Sequence, residues 1–164
     1  MKTLLIVRHA KADWQMPGQK DQDRPLINRG IKRTELISDF LKNKNINPDL
    51  IVASSAIRAA QTAKLLAKGL DFNESKIIFN PNIYHWSHVD LFDVFLEIPD
   101  DVNTMILVGH NPTLTDFSNI FLDHPIENLP TTGVVCISFD TNVWSDIRKS
   151  TTKTEFVIFP KMLQ

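Results

Sequence analysis

At 164 residues, 43% hydrophobic and 23% charged, the chain fits one compact domain spanning 1–164 with a sizeable core, which excludes wholesale disorder and collagen- or disulfide-type frameworks. Eighteen Lys+Arg against nineteen Asp+Glu leave a net charge of −1, so no global field draws in nucleic acid or an anionic membrane, and any anion site must be local. Cys136 alone forms no internal disulfide, the apolar run inside residues 1–8 is too short for a signal peptide, and no stretch approaches the roughly 20 apolar residues of a membrane helix, so the expectation is a cytoplasmic chain.

Residues 3–7 form a continuous apolar run ending at Arg8-His9, which predicts a first, central strand covered on both faces. A polar loop with Pro17-Gly18 and Arg24-Pro25 follows. Leu36, Ile37, Phe40 and Leu41 then recur at helical spacing, predicting a helix over 30–43. Residues 50–53 read as a buried strand, and the Ala-, Leu- and Lys-rich stretch 56–66 as a helix. A third strand is expected at 76–79. Ser87 with Asp90 resembles a capping box opening a helix through Leu91, Phe92, Phe95 and Leu96. Residues 104–108 give another buried strand, and Gly109-His110-Asn111-Pro112 turns into a helix over 113–121, with Asn111 as its N-cap and Pro112 as its first residue. Strands over 133–139 and 155–159, with a short helical turn at 142–147 between them, complete the chain. Alternating strands and helices predict a three-layer α/β/α sandwich around a largely parallel sheet joined by right-handed crossovers.

In such sheets ligands bind beyond the carboxyl ends of the strands. Three predicted ends carry reactive or anion-binding side chains: Arg8-His9 after the first, Ser54-Ser55 leading to Arg58 after the second, and Gly109-His110 after the fourth. Two arginines supply permanently charged planar forks, and two histidines are nucleophiles or proton carriers near neutral pH. Together they describe a pocket for a phosphoryl group. The competing metal reading finds little support, since His85 and His88 stand at an i, i+3 spacing and no H-x-x-x-H or paired-cysteine motif occurs.

These residues carry a family resemblance. Leu5-Ile6-Val7-Arg8-His9-Ala10-Lys11 is similar to the Arg-His-Gly motif of the histidine phosphatase superfamily, the phosphoglycerate mutase-like fold. Residues 54–62, Ser-Ser-Ala-Ile-Arg-Ala-Ala-Gln-Thr, resemble its S-x-x-x-R-A-x-Q-T motif, and Val108-Gly109-His110-Asn111-Pro112 its third. Arg24-Pro25-Leu26 with Gly30, and Pro130-Thr131-Thr132-Gly133, further resemble the short SixA-like phosphohistidine phosphatase branch. The resemblance implies two-step phosphoryl transfer with His9 as nucleophile, and with Arg8, Arg58 and His110 holding the phosphoryl oxygens and completing the catalytic set. It also implies that neither a metal nor an organic cofactor is needed.

Two departures from the family pattern bear on the substrate. Ala10 replaces the usual glycine, which is mild at an ordinary φ and strained at a positive one. Members acting on phosphomonoesters carry a Glu or Asp that protonates the leaving alkoxide, whereas here residues 82–88 contain no carboxylate and Asp90 suits a helix start. A protonated phosphohistidine leaves as a neutral ring and needs no such acid; His85 is the candidate substitute, outside the catalytic set. Only 51 residues separate Arg58 from His110, too few for a large helical lid, so an open mouth accessible to a phosphohistidine-bearing protein is expected. A small phosphorylated metabolite is the alternative substrate, and a phosphate-binding module without turnover the alternative class. Lys11, Ser54, Ser55 and Thr113 are read as solvated or capping residues, Cys136 as core, and Trp14 and Trp86 as candidates for the rim.

Overall fold

The computed structural model describes all 164 residues. Six strands form one sheet, β1 (Lys2–Arg8), β2 (Leu50–Ser54), β3 (Ile78–Asn80), β4 (Thr104–Gly109), β5 (Val134–Phe139) and β6 (Thr152–Ile158), in the order β3-β2-β4-β1-β5-β6. The apolar runs behave as predicted for doubly covered strands: Leu4, Leu5, Ile6 and Val7 of β1 are fully buried, and so are Met105, Ile106, Leu107 and Val108 of β4. Their alternation divides two cores. Leu5, Val7, Ile51, Ala53, Ile106 and Val108 pack under α1 (Asn28–Asn43) and α2 (Ile57–Gly69). Leu4, Ile6, Val52, Met105 and Leu107 pack on the other face with α3 (Thr113–Phe121) and the 3₁₀ segments Asp90–Leu96 and Trp144–Lys149. This is the expected three-layer sandwich, with β1 in the middle of the sheet.

The sheet is parallel from β3 through β1, while β5 pairs antiparallel with both β1 and β6. Helices α1 and α2 extend slightly beyond the predicted spans. The third strand shifts to Ile78–Asn80, because Glu74–Lys76 forms a 3₁₀ turn capped by Asn73, whose side chain accepts from the Ser75 N–H. The reciprocal Ser87–Asp90 bonds form as expected, yet they open a 3₁₀ segment rather than an α-helix. Leu91 and Val94, three residues apart, and Phe95 anchor the segment to the core. The cap position of α3 falls on Pro112 rather than Asn111, one residue later than expected, while Asn111 Oδ1 still accepts from the Thr115 N–H at 3.2 Å. No helix is long and apolar enough to cross a membrane.

Because β2, β4 and β1 are neighbours, their carboxyl ends lie side by side, with Arg8 opposite Gly109 and Ala53 opposite Val108. The three predicted strand ends therefore converge.

Candidate active site

His9 follows β1, and its backbone N–H donates to the Gly109 carbonyl at 3.0 Å, fixing it beside the end of β4. Its ring Nδ1 lies 2.8 Å from the Ala10 carbonyl. A carbonyl only accepts, so Nδ1 carries the proton and Nε2 keeps its lone pair. The Arg58 Nε donates toward that same Nε2 at 3.3 Å, which agrees with an unprotonated nitrogen there. Burial pushes the His9 imidazolium down to about 3, with His110, Arg58 and Arg8 adding repulsion. At neutral pH His9 is thus a neutral ring with an aimed lone pair.

Arg58 sits in the first turn of α2 and is almost wholly buried. Its Nη1 donates to the Asp21 carbonyl at 2.8 Å and its Nη2 to Asp21 Oδ2 at 2.9 Å. The same carboxylate accepts from the Tyr84 hydroxyl at Oδ2 and from Arg24 Nη1 at Oδ1, 2.8 Å. Tyr84, Arg24 and Arg58 together hold the Asp21 carboxyl well below the usual carboxylate range, and the Asp21 acceptor raises the Tyr84 hydroxyl. The Tyr84 ring also stands edge-on to His110, centroids 5.2 Å apart.

His110 completes the group, its ring centroid 5.2 Å from that of His9. Its Nε2 lies 2.8 Å from Ser54 Oγ, which already accepts from the Ala56 N–H at 3.2 Å. The serine hydroxyl has no other acceptor for its own proton, so it donates to Nε2, which places the ring proton on Nδ1. His110 Nδ1 and Arg8 Nε are buried without a protein partner, so two anion-seeking donors stand unmet at the strand ends. Burial, then Arg58, lowers the His110 imidazolium to about 4. Burial and Arg58 also lower Arg8, whose Nη1 donates to the Leu129 carbonyl at 3.2 Å.

Further motif residues hold this group in place. Thr62 Oγ1 donates to the Arg58 carbonyl at 2.7 Å and accepts from the Ala10 N–H at 2.9 Å, tying α2 to the segment after His9. Gln61 Oε1 accepts from the Leu26 N–H at 2.8 Å, anchoring the loop that carries Asp21. A Cβ on Gly30 would stand 2.3 Å from the Lys11 carbonyl, so only glycine lets α1 approach there. Ala10 lies outside the left-handed region and replaces glycine without strain. Thr132 does adopt a left-handed φ of 59°, and its N–H donates to the Arg8 and His9 carbonyls at 3.0 and 3.3 Å.

Asp21 and Tyr84 were missed by the sequence reading. Asp21 meets Arg58 across 37 positions with no local pattern to betray it, whereas Tyr84 lies inside the 82–88 stretch but next to the more conspicuous His85. His85 is exposed, its ring meeting the Tyr84 edge at 4.9 Å. Lys11 and Ser55 are exposed, and Thr113, rather than capping α3, donates to the Trp86 carbonyl at 2.9 Å. Trp86 packs on the core and Trp14 is 83% exposed. Cys136 is core, its thiol pushed up to about 12 by burial. The segment between Arg58 and His110 carries no helical insertion over the site. Even so, His9, Arg58 and His110 are only 7, 6 and 9% exposed, because the Asp21 loop and the Tyr84 turn narrow the mouth. A hollow of about 370 Å³ between Lys42, Asp49, Asp71 and Lys76 lies at the opposite, amino end of the strands, away from these groups.

Residues 4–91, more than half of the chain, match the model of the histidine phosphatase superfamily, branch 1. The chain belongs to that superfamily. A histidine phosphatase fold is confirmed by superposition on the protein assigned as phosphohistidine phosphatase SixA of Nakamurella multipartitia, with a TM-score of 0.84 and 21% identity, covering 97% of this chain and 96% of the other. The protein histidine phosphatase SixA in complex with tungstate superposes with a TM-score of 0.78 at 17% identity, covering 99% of both. An uncharacterized Mycobacterium tuberculosis protein is 26% identical over 151 residues, 86% of this chain and 91% of its own length. The superfamily motifs read from the sequence are those whose side chains converge at the ends of β1, β2 and β4.

Proposed function

We propose that this histidine phosphatase superfamily member hydrolyses phosphohistidine on a protein, with His9 as the nucleophile. The observation that carries this reading is the paired state of its central groups: a neutral His9 with an unprotonated Nε2 facing Arg58, beside a carboxylate that only accepts. In the first step His9 Nε2 forms a bond to phosphorus while the substrate P–N bond breaks, its electron pair passing to the departing imidazole. In the second, water attacks phosphorus, releasing phosphate and restoring His9. Arg8, Arg58 and His110 hold the equatorial oxygens, supplying in advance the positive field that the transferring group requires. No metal ion is called for in this scheme.

The leaving group decides between substrates. An alkoxide needs a proton, and general acid help is worth about 10² to 10⁴-fold. Asp21 accepts from Tyr84, Arg24 and Arg58 and has no proton to give. A protonated phosphohistidine ring leaves neutral without help. The lack of a helical insertion leaves room for a substrate presented on a protein surface.

The test compares kcat/KM for a phosphohistidine protein and an alkyl phosphomonoester in the presence of a chelator. The expected result is a strong preference for phosphohistidine, unaffected by the chelator and reduced on the order of 10⁴-fold or more by His9→Ala. Equal or better cleavage of the monoester would make a metabolite phosphatase the correct reading. Phosphate binding without turnover of either would make the site a binding module.

A further inference from the structure

We infer that Asp21 selects the substrate by its leaving group, accepting the ring N–H of a protonated phosphohistidine and disfavouring phosphomonoesters. This rests on the phosphohistidine reading above and extends it to the residue that recognises the departing ring.

An ionised carboxylate beside a phosphate site repels a phosphoryl dianion and competes with it for Arg58. It therefore has to serve something the phosphoryl group does not. Oδ2 is filled by Arg58 Nη2 and the Tyr84 hydroxyl. Oδ1 accepts from Arg24 Nη1 alone and so retains a free lone pair. The Asp21 side chain is 34% exposed where that of its partner Arg58 is 7% exposed, which places the carboxylate on the solvent side of the guanidinium, at the mouth. The charged and titratable groups around it are Arg24 on its own loop, Arg58 on α2 and Tyr84 on the 81–84 turn, with Arg8, His9 and His110 grouped behind Arg58. The two histidines are neutral at pH 7, so Asp21 is the carboxylate that a cationic leaving group would meet.

A phosphohistidine ring bears the phosphoryl group on one nitrogen and, when protonated, a proton on the other. That N–H donating to Asp21 Oδ1 is a charge-assisted hydrogen bond, and it keeps the ring in the form that departs as a neutral molecule. When the P–N bond breaks, its electron pair stays on the ring nitrogen and the N–H proton remains in place, so nothing is transferred to or from Asp21. An alkoxide developing at the same mouth brings no proton and meets a fixed negative charge. One residue thus favours one leaving group and opposes the other.

The experiment uses two peptides of the same sequence carrying phosphohistidine or phosphoserine, with the wild-type chain, Asp21→Asn and Tyr84→Phe. Any loss of Arg58 orientation lowers both substrates and cancels in the ratio of their kcat/KM values. The expected result is a ratio that falls about tenfold in Asp21→Asn and stays near wild type in Tyr84→Phe, which keeps the carboxylate. The alkaline limb of phosphohistidine turnover should also move to lower pH in Asp21→Asn, because a nearby negative charge raises the ring pKa and its removal lowers it. If both substrates fall together and the limb does not move, Asp21 only orients Arg58 and the inference is overturned while the phosphohistidine reading stands. If the wild-type chain itself prefers the phosphoserine peptide, both are overturned.

Discussion

The strand ends and the segments that close over them contribute to the site in different ways. The ends of β1, β2 and β4 deliver His9, Arg58 and His110 to one place, and parallel ladders with the Arg8–Gly109 register set those positions. The closing segments, which are the loop around Asp21, the turn at Tyr84 and the turn at Thr132, add little reactive chemistry of their own. They fix the direction of Arg58 and tie down the carbonyls of Arg8 and His9. The sheet therefore sets where the groups are, and the surrounding hydrogen bonds set which way they point and which nitrogen carries a proton.

Among changes that leave the nucleophile in place, the largest effect should come from keeping position and charge while removing direction. Arg58→Lys retains a cation on α2 but loses the fork that reaches His9 and Asp21 together. A fall of about 10² to 10³-fold in kcat is expected, measured as the rate of phosphoenzyme formation in a single turnover. Retained activity would mean that charge alone suffices and that the closing loop is dispensable.

Acid should destabilise the fold through the two histidines. Their ordinary value is 6.5, and burial lowers His9 to about 3 and His110 to about 4 in the folded chain. Between those limits the unfolded chain binds more protons, so stability is full above pH 6.5 and is lost as the pH falls from 6.5 toward 4. Asp21, also held below its ordinary value of 3.8, adds to the loss only at lower pH. Urea midpoints measured from pH 7 to pH 4.5 should fall steadily in wild type and with a shallower slope in His9→Asn; equal slopes would refute the buried neutral ring.

Thr62→Val probes the link between the two regions. Valine has nearly the same shape but can neither accept from the Ala10 N–H nor donate to the Arg58 carbonyl. Leaving that buried N–H unmet costs about 1–3 kcal/mol, readable in urea unfolding, and it frees the segment carrying the nucleophile. An unchanged midpoint would show that the loop is held elsewhere.

The same division explains what could be read from the sequence. Apolar runs report burial on both faces, so β1, β2 and β4 and their terminal residues were legible, and with them Arg8, His9, Arg58 and His110. Of the 3₁₀ segments, Trp144–Lys149 was legible as a short helical turn, whereas Glu74–Lys76 and Asp90–Leu96 were not. The Ser87–Asp90 pattern announces a helix start but does not distinguish an α-helix from a 3₁₀ segment. Asp21 was illegible because two of its three side-chain partners, Arg58 and Tyr84, lie 37 and 63 positions away, and the third, Arg24, follows Asp23 directly and so does not single Asp21 out. Tyr84 was hidden because its partner Asp21 lies 63 positions away and the more conspicuous His85 stands beside it.

Ser54→Ala should give the smallest change and the sharpest test of how direction is set. The Ser54 hydroxyl is fully buried, accepts from the Ala56 N–H and has His110 Nε2 as the base for its own proton. In wild type, nitrogen NMR should therefore find His110 with a protonated Nδ1 and an unprotonated Nε2. In Ser54→Ala nothing holds Nε2 as an acceptor, so the ring samples both tautomers and presents the Nδ1 proton for only part of the time. The expected cost is about tenfold in kcat, near the value of one hydrogen bond to a charged group, with the fold intact. Ser54→Thr keeps the hydroxyl and should restore the single tautomer. A wild-type His110 protonated on Nε2 would reverse the direction of the Ser54 bond, leaving Nδ1 a lone pair that repels a phosphoryl oxygen, and would remove His110 from the anion-holding set.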